Sequence, residues 1–209
     1  MPLIYSPEED SFLLFSLIKD KFPKILLENR NLKVLEIGSG SGVQLKSLLE
    51  AGIKKQNIFA CDINPKAVKH CRKLGFNCAQ SNLFENIQNL QLSTEAIKKS
   101  CPSEIRGRST RKIKGFPRFD FIIFNPPYLP ENPDEPKDSA LATTGGKKGG
   151  EIINNFLQQA KKHLSKDGRI FLLASSLTKG IKWEGYKKKK LAKQKLFFEE
   201  LQVWELSVI

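Results

Sequence analysis

The sequence contains little cysteine, little histidine and no long apolar run. It has four cysteines and two histidines in 209 residues, and the cysteines, at positions 61, 71, 78 and 101, form no Cys-x-x-Cys pair. This scarcity argues against a zinc site and against a disulfide framework, so we expect no bound metal and a reduced, cytoplasmic chain. No apolar stretch is long enough to cross a membrane, and acidic residues follow the N-terminus where a signal peptide would be apolar. We therefore expect no membrane partner.

Two nucleotide-binding fingerprints are also missing. Residues 33–42 predict a strand and a glycine loop, but Gly38, Gly40 and Gly42 have the spacing G-x-G-x-G instead of G-x-G-x-x-G, and no Walker lysine follows. Glycines at alternate positions still allow a sharp turn and a close approach of the backbone to a ligand. Glu36 lies just before them, where an acid disfavours the pyrophosphate of NAD or ATP. It favours the cationic amino-acid portion of S-adenosylmethionine.

The next predicted strand, residues 57–62, ends in an acid. Asp62 follows Gly42 by twenty residues, where a carboxylate can accept hydrogen bonds from both ribose hydroxyls. The alternative is that Asp62 caps the helix that Asn64 and Pro65 open. One residue can do both, so the two interpretations stay open.

The tetrapeptide Asn125-Pro126-Pro127-Tyr128 directly follows an apolar run, residues 119–124, that predicts a buried strand. Two prolines fix φ and remove two backbone donors, so the Asn125 side chain and the Pro126 carbonyl are held as rigid acceptors beside the Tyr128 ring. This arrangement suits a planar NH2 group, whose delocalised lone pair makes it a poor nucleophile until it is oriented. The alternative is a Pro-rich turn that only ends the strand.

The order of the predicted elements indicates an α/β, Rossmann-like fold. Strands are expected at 33–37, 57–62, 76–80, 119–124 and 169–174, helices at 42–51, 65–74 and 150–164, and an antiparallel hairpin at the C-terminus. This alternation predicts a mostly parallel, twisted sheet with helices on both faces. The length fits one domain over residues 1–209.

These motifs, in this order, resemble the HemK-like class I methyltransferases, and within them the short archaeal and eukaryotic branch that methylates the glutamine of the Gly-Gly-Gln loop in class I peptide-chain release factors. Residues 5–14, 142–150 and 195–201 resemble its opening segment, its glycine-rich loop and its last hairpin. The resemblance implies catalysis by residues 125–128. It implies S-adenosylmethionine contacts at Ser11, Glu36, Gly38, Gly40, Asp62, Asn82, Leu83 and Asn125.

Three features of the sequence limit this resemblance. Asn82 stands where the family usually has an Asp that accepts from the adenine amino group, and the lost charge should weaken cofactor binding by up to roughly 1–2 kcal/mol. Residues 179–184 replace what is usually a full helix, which leaves one flank of the sheet bare or covered by a partner. Ser11 has a second interpretation, because Ser6 and Glu9 form a capping box around Pro7 and would begin a helix without a cofactor.

The net charge of +13 is concentrated in two basic patches, residues 98–118 and residues 179–195. The first patch belongs to a long connection, about residues 85–118, and connections of that length are usually flexible or functional. Both patches would attract an RNA-rich ribosome or the acidic surface of a release factor. The alternative for the first is a solvated, lysine-rich insertion. If the second patch forms a strand, its alternate lysines point to opposite faces. One set must then lie over the sheet, unless the aliphatic stems extend along the surface and carry the ammonium groups to water.

The main rival function shares the same chemistry. An Asn/Asp-Pro-Pro-Tyr motif also serves adenine-N6 and cytosine-N4 methyltransferases. However, neither basic patch interleaves aromatic residues at the density that a flipped base needs. A degenerate, non-enzymatic scaffold is a third interpretation, which the intact tetrapeptide opposes.

In the family's short branch a small zinc-ribbon protein pairs with the sheet edge, so the resemblance implies such a partner at residues 76–80. Alternatively, the basic insertion covers that edge.

Overall fold

A computed structural model describes residues 7–90 and 117–209. The strands of the described part are β1 (Val34–Ile37), β2 (Ile58–Asp62), β3 (Asn77–Gln80), β4 (Phe119–Phe124), β5 (Leu164–Ser175), β6 (Tyr186–Lys195) and β7 (Glu200–Val208). Its helices are α1 (Glu9–Glu28), α2 (Val43–Glu50), α3 (Pro65–Lys73), α4 (Lys137–Thr143) and α5 (Glu151–Ala160). None of these helices is long and apolar enough to span a bilayer.

The described strands form one sheet in the order β3-β2-β1-β4-β5-β7-β6. Strands β1 to β5 run parallel, whereas β7 pairs antiparallel with both β5 and β6. A parallel strand is covered on both faces by crossover helices, and accordingly every residue of β1 and β2 is buried. The predicted α/β class, the mostly parallel sheet and the C-terminal hairpin are confirmed.

Two apolar cores lie on opposite faces of this sheet. The first is built from α1, α2, α3 and the sheet, and its centre is an aromatic cluster in which Phe22 lies 4.9 Å from Phe121 and 5.8 Å from Phe171 between ring centroids. The second packs α5 and residues 84–90 against the other face. From Phe121 to Phe124, successive residues of β4 enter alternate cores, as the two-residue period of a strand requires. The sheet is therefore the rigid layer that carries the ends of its strands.

Several helices and strands begin or end at residues other than the predicted ones. Gly42 precedes α2 with φ of +77°, so the predicted helix 42–51 is shorter at both ends. The predicted helix 150–164 ends at Ala160, a 3-10 turn covers Lys161–His163, and β5 begins at residue 164 instead of 169. The irregular register between β4 and β5, which shifts between Phe119 and Phe121, accommodates this early start. Helix α4 was not predicted at all.

The start of α1 also differs from the predicted capping box. The helix begins at Glu9, its N-cap is Glu8 without a side-chain cap, and Pro7 precedes the helix. Ser6 lies outside the described residues. The predicted basic insertion, residues 85–118, lies mostly outside them too, since only its ends, 85–90 and 117–118, are described.

The shortened connection after β5 forms no helix, as expected, but the flank beside it is not bare. Ile181 and Trp183 of this connection pack against the second core, and the Trp183 and Trp204 ring centroids are 5.6 Å apart. Lys188 Nζ lies 4.9 Å from the Trp183 ring and 5.2 Å from the Trp204 ring, while Lys190 Nζ lies 4.9 Å from the latter. Lysine stems and indole rings therefore cover this part of the sheet, because aliphatic stems shield apolar surface while their ammonium groups interact with the ring faces.

Candidate active site

A cavity of about 210 Å³ opens at the carboxyl ends of β1, β2 and β4. Parallel strands end at one edge of the sheet, so the loops after β1, β2 and β4 converge there. The predicted site residues that line the cavity are Ser11, Glu36, Gly38, Gly40, Asp62, Asn82, Leu83, Asn125 and Pro127. Pro126 is buried and Tyr128 is half-buried, and neither residue is part of the cavity lining.

The glycine loop after β1 is folded tightly against β2. Gly38 and Gly40 have φ of +72° and +47°, in the left-handed region that favours glycine. The Gly38 amide donates to the Cys61 carbonyl at 2.8 Å, and the Gly40 amide donates to Asp62 Oδ2 at 2.8 Å. A Cβ on Gly38 would lie 3.7 Å from the Phe124 ring. At the two glycines, the backbone itself therefore forms this wall of the cavity.

Asp62 is not a helix cap. The N-cap of α3 is Asn64, whose side chain accepts from the Lys66 amide at 3.0 Å, and Pro65 occupies the first turn. Asp62 instead accepts from the Gly40 and Asn64 amides, both at 2.8 Å, which fixes its carboxylate at the mouth of the cavity. Burial raises the pKa of Asp62, and these amide donors oppose the rise. The capping alternative is therefore wrong.

Glu36 is a buried carboxyl group whose Oε2 atom has no hydrogen-bond partner among the described residues. Burial raises its pKa well above the ordinary value, and the neighbouring Cys71 and Asp62 add to that rise. A buried carboxyl without a partner is costly, and a cationic ligand would remove that cost. The site therefore fits an ammonium group.

Asn125 is oriented by Asp10, a residue that the sequence did not single out. Asn125 Nδ2 donates to Asp10 Oδ2 at 3.1 Å, and the Tyr128 hydroxyl lies 3.5 Å from the same oxygen. A carboxylate only accepts, so the NH2 of Asn125 must face Asp10 and its Oδ1 must face away. This Oδ1 is buried and has no partner among the described residues. It is an unused acceptor on a residue that lines the cavity.

A third unused acceptor belongs to Gln44, which the sequence also did not single out. Gln44 Nε2 donates to the Ser11 carbonyl at 2.8 Å and joins α2 to α1, while its Oε1 is buried without a partner among the described residues. In the described part of the chain, the buried side-chain polar atoms without a partner belong to Glu36, Gln44 and Asn125, and all three residues line this cavity. Native proteins leave few such atoms unpaired, so their clustering indicates a ligand site.

The far wall of the cavity contains Asn82 and Leu83. Asn82 Nδ2 donates to Glu85 Oε1 at 3.0 Å, which leaves Asn82 Oδ1 as an acceptor. Leu83 has φ of +49°, a strained conformation for a side chain of this type, and its carbonyl accepts from Ser81 Oγ at 2.9 Å. Strained residues of this kind cluster at binding sites.

The tetrapeptide at residues 125–128 is held by two neighbouring loops. The Tyr128 and Leu129 amides both donate to the Thr143 carbonyl, at 3.0 and 2.9 Å. Thr178 Oγ1 donates to the Tyr128 carbonyl at 2.8 Å. A Cβ on Gly149 would collide with that same carbonyl, which explains a glycine in the predicted glycine-rich loop. The Pro-rich segment is thus a braced part of the cavity, and not only a turn that ends β4.

Comparison with known proteins gives the family. The family model of the Eco57I restriction-modification methylases matches residues 56–202. A protein of Methanocaldococcus jannaschii named as a protein N5-glutamine methyltransferase is 35% identical, over 98% of this chain and 93% of that protein. The eRF1 methyltransferase catalytic subunit of Schizosaccharomyces pombe is 30% identical, over 84% of this chain and 74% of that protein. The chain belongs to the HemK-like protein N5-glutamine methyltransferases. The resemblance inferred from the sequence is confirmed.

This HemK-like methyltransferase has the fold of the class I enzymes. Human methyltransferase-like protein 13, solved in complex with SAH, aligns with a TM-score of 0.51 and 17% identity, over 95% of this chain and 82% of that one. Identity this low shows the fold alone. The Eco57I match, from β2 to the start of β7, contains the tetrapeptide and places the chain within that broader methylase family as well.

The substitution Asp10→Asn should slow methyl transfer by about tenfold to a hundredfold, because an amide at position 10 can donate and lets Asn125 turn its NH2 into the cavity. Cofactor affinity should stay within severalfold of the wild-type value. Single-turnover kinetics and calorimetry measure the two quantities. Glu9→Gln, an exposed neighbour on α1, is the control and should keep the full rate. A wild-type rate for Asp10→Asn would contradict the positioning role.

The substitution Glu36→Gln should stabilise the chain without cofactor at neutral pH while it weakens cofactor binding at least about tenfold. The pKa of Glu36 is raised in the folded state, so this group destabilises the fold as pH rises above the ordinary value of 4.5. The higher free energy of unfolding that we expect for the variant should therefore approach the wild-type value as pH falls toward 4.5.

Urea unfolding without cofactor at several pH values measures this advantage, and calorimetry measures cofactor affinity. The pKa of Asp62 is also raised, but Asp62 is present in both the wild type and the variant. The difference between their free energies of unfolding therefore isolates the contribution of Glu36. A variant that is less stable at neutral pH, or an advantage that does not change with pH, would contradict the role of burial.

Proposed function

We propose that this chain transfers a methyl group from S-adenosylmethionine to the side-chain amide nitrogen of the glutamine in the Gly-Gly-Gln loop of a class I release factor. The observation that carries the proposal is the buried, unpartnered Oδ1 of Asn125, held in place by Asp10. Two relatives support it, because one is named as a protein N5-glutamine methyltransferase and the other as an eRF1 methyltransferase catalytic subunit. Release factors act in translation, so the proposal includes a cytoplasmic location.

S-adenosylmethionine, when bound, supplies a methyl group on a strongly electrophilic sulfonium. Glu36 and Gln44 would hold its ammonium group, because both present buried, unpaired oxygens. Asp62 would accept from the ribose hydroxyls. Asn82 Oδ1 would accept from the adenine amino group, and Leu83 would frame the ring. Ser11, Gly38 and Gly40 complete the proposed cofactor contacts around the methionine portion.

The amide nitrogen of glutamine needs orientation more than it needs a base. Asn125 Oδ1 and the Pro126 carbonyl would accept its two hydrogens, and the Tyr128 ring would lie against its plane, with Pro127 fixing the geometry between them. The proton can leave to solvent after transfer, because the amide nitrogen carries a positive charge once it has gained the methyl group and is then strongly acidic. The contribution of these residues is thus positioning and dipole alignment.

A partner subunit at the β3 edge belongs to the same proposal. Strand β3 is an outer strand of the sheet that the described residues form, and beside it an open cleft of about 950 Å³ is bordered by α3 and by residues 79–89. An open strand edge can accept a strand from another chain. The fission-yeast relative is named a catalytic subunit, which supports a second subunit. That this subunit is of the small zinc-ribbon type follows from the family resemblance alone. The basic patch at residues 179–195 would add contacts with the ribosome or with RNA.

The transfer of radiolabelled methyl tests the function directly. The chain, with and without a zinc-ribbon subunit, is incubated with S-adenosylmethionine and three acceptors: an intact release factor, a Gln→Ala loop variant of it, and an adenine-containing oligonucleotide. We expect label on the intact factor alone. Label on the oligonucleotide alone would establish the nucleic-acid alternative, and equal label on both factors would exclude the loop glutamine.

Two substitutions separate the roles within the cavity. Asn125→Ala should reduce turnover by about a hundredfold or more while cofactor affinity stays within severalfold, because it removes an acceptor for the amide. Asp62→Ala should mainly weaken cofactor binding, because it removes the ribose acceptor. Calorimetry and single-turnover rates of both variants are compared. Equal losses of affinity and rate in Asn125→Ala, or unchanged affinity in Asp62→Ala, would contradict these assignments.

A further inference from the structure

Two phenylalanines at the turn of the β6–β7 hairpin lie almost wholly in solvent. Phe197 is 99% exposed and Phe198 is 83% exposed, and we call this pair the phenylalanine tip. Side chains of this size and apolarity are normally buried. The preceding Leu196, in contrast, packs partly against the first core. Two adjacent exposed rings form an apolar patch of the kind that marks an interaction surface.

The turn that carries the phenylalanine tip is firmly held. The Leu196 amide donates to the Glu199 carbonyl at 2.8 Å and closes the turn. The Ser176 amide donates to the Glu200 carbonyl, and the Glu200 amide donates to Ser176 Oγ, both at 2.9 Å. Ser175 Oγ donates to the Glu199 carboxylate. These hydrogen bonds hold the backbone on both sides of the two phenylalanines at the end of the hairpin.

The phenylalanine tip lies on the same edge of the sheet as the tetrapeptide. Leu201 of β7 pairs with Ser175, the last residue of β5, so the turn extends beyond the carboxyl end of β5. Strand β7 is two strands from β4, a lateral distance of about 10 Å at the usual strand spacing. The end of β5 and the connection after it also contact both sites, because Ser175 and Ser176 bind the hairpin turn and Thr178 binds the Tyr128 carbonyl.

The charge beside the phenylalanine tip is positive. Lys193 and Lys195 are exposed on β6 next to it, and Lys179 is exposed on the connection after β5. Glu200 pairs with Lys193 at 3.3 Å and with Lys190 at 3.8 Å, but residues 179–195 still hold far more bases than acids. A partner that fits this surface has an apolar patch bordered by acidic side chains.

We propose that the phenylalanine tip docks the protein substrate, by binding an apolar patch with an acidic border on the folded domain that carries the glutamine loop. This inference rests on the proposed function, because a protein acceptor bound at Asn125 must extend over this edge of the sheet. A subunit at the β3 edge would lie at the other end of the sheet and would not compete. Docking away from the cavity lets a short glutamine loop be presented without a deep peptide groove.

The double substitution of Phe197→Ser with Phe198→Ser tests the proposal. We expect its KM for a full-length eRF1-type release factor to rise about tenfold or more, since aromatic side chains are enriched at interfaces and a few buried anchor residues carry most of the binding energy. Its kcat, its affinity for S-adenosylmethionine and its KM for a short Gly-Gly-Gln peptide should match the wild type. Leu27→Ser, which alters an 82% exposed residue of α1, is the matched control and should change none of these.

Two further measurements make the test decisive. Lys195→Glu should also raise KM for the full-length factor and not for the peptide. Both rings are exposed, so the double variant should unfold at the wild-type temperature; if it unfolds earlier, Phe198→Ser alone should still raise KM by a smaller factor.

An unchanged KM for the full-length factor in the double variant, with normal labelling by the wild type, would overturn the docking proposal alone. Absence of labelling by the wild type would overturn it together with the proposed function. A wild-type dimer that dissociates in the double variant, with KM unchanged, would assign the phenylalanine tip to a second copy of the chain and would also overturn it.

Discussion

The hydrogen bond from Asn125 Nδ2 to Asp10 Oδ2 is the interaction on which the site depends. It joins the first turn of α1 to the end of β4, and because a carboxylate only accepts, it decides which atom of the Asn125 amide is free. The position of Asp10 depends in turn on the packing of α1 against the sheet through Phe22 and on the hydrogen bond from Gln44 to the Ser11 carbonyl. Packing of the first core thus sets the direction of a single oxygen in the cavity.

The cavity is stabilised less well than the cores that surround it. Within the described part of the chain, Glu36, Gln44 and Asn125 each keep a buried oxygen without a partner, and Leu83 is strained. An apolar or fully paired cavity would be more stable but would offer no acceptors to a ligand. A ligand with an ammonium group and a second ligand with an amide group would satisfy these atoms. The large cores on both faces of the sheet offset this local cost.

Sequence patterns predicted the parts of the fold and site that depend on local chemistry. Strand periodicity and the glycine spacing located the loop after β1, and the apolar run before Asn125 located the end of β4. The interpretation of Asp62 as a cap was wrong because Asn64, two residues later, caps α3. Asp10 and Gln44 were missed because their contacts are tertiary: Asp10 meets a residue 115 positions away. The cover of the flank by Trp183 and Trp204 depends likewise on the antiparallel pairing of β7.

The central claim is that Asn125 presents its Oδ1 to a substrate NH2 while Asp10 holds its Nδ2. A crystal structure of the chain with S-adenosylhomocysteine and a glutamine peptide tests it most directly. The account predicts the peptide amide nitrogen within hydrogen-bond distance of Asn125 Oδ1, with the hydrogen bond to Asp10 retained. A glutamine amide bound elsewhere, or an Asn125 side chain that has left Asp10 and turned its NH2 toward the peptide, would contradict it.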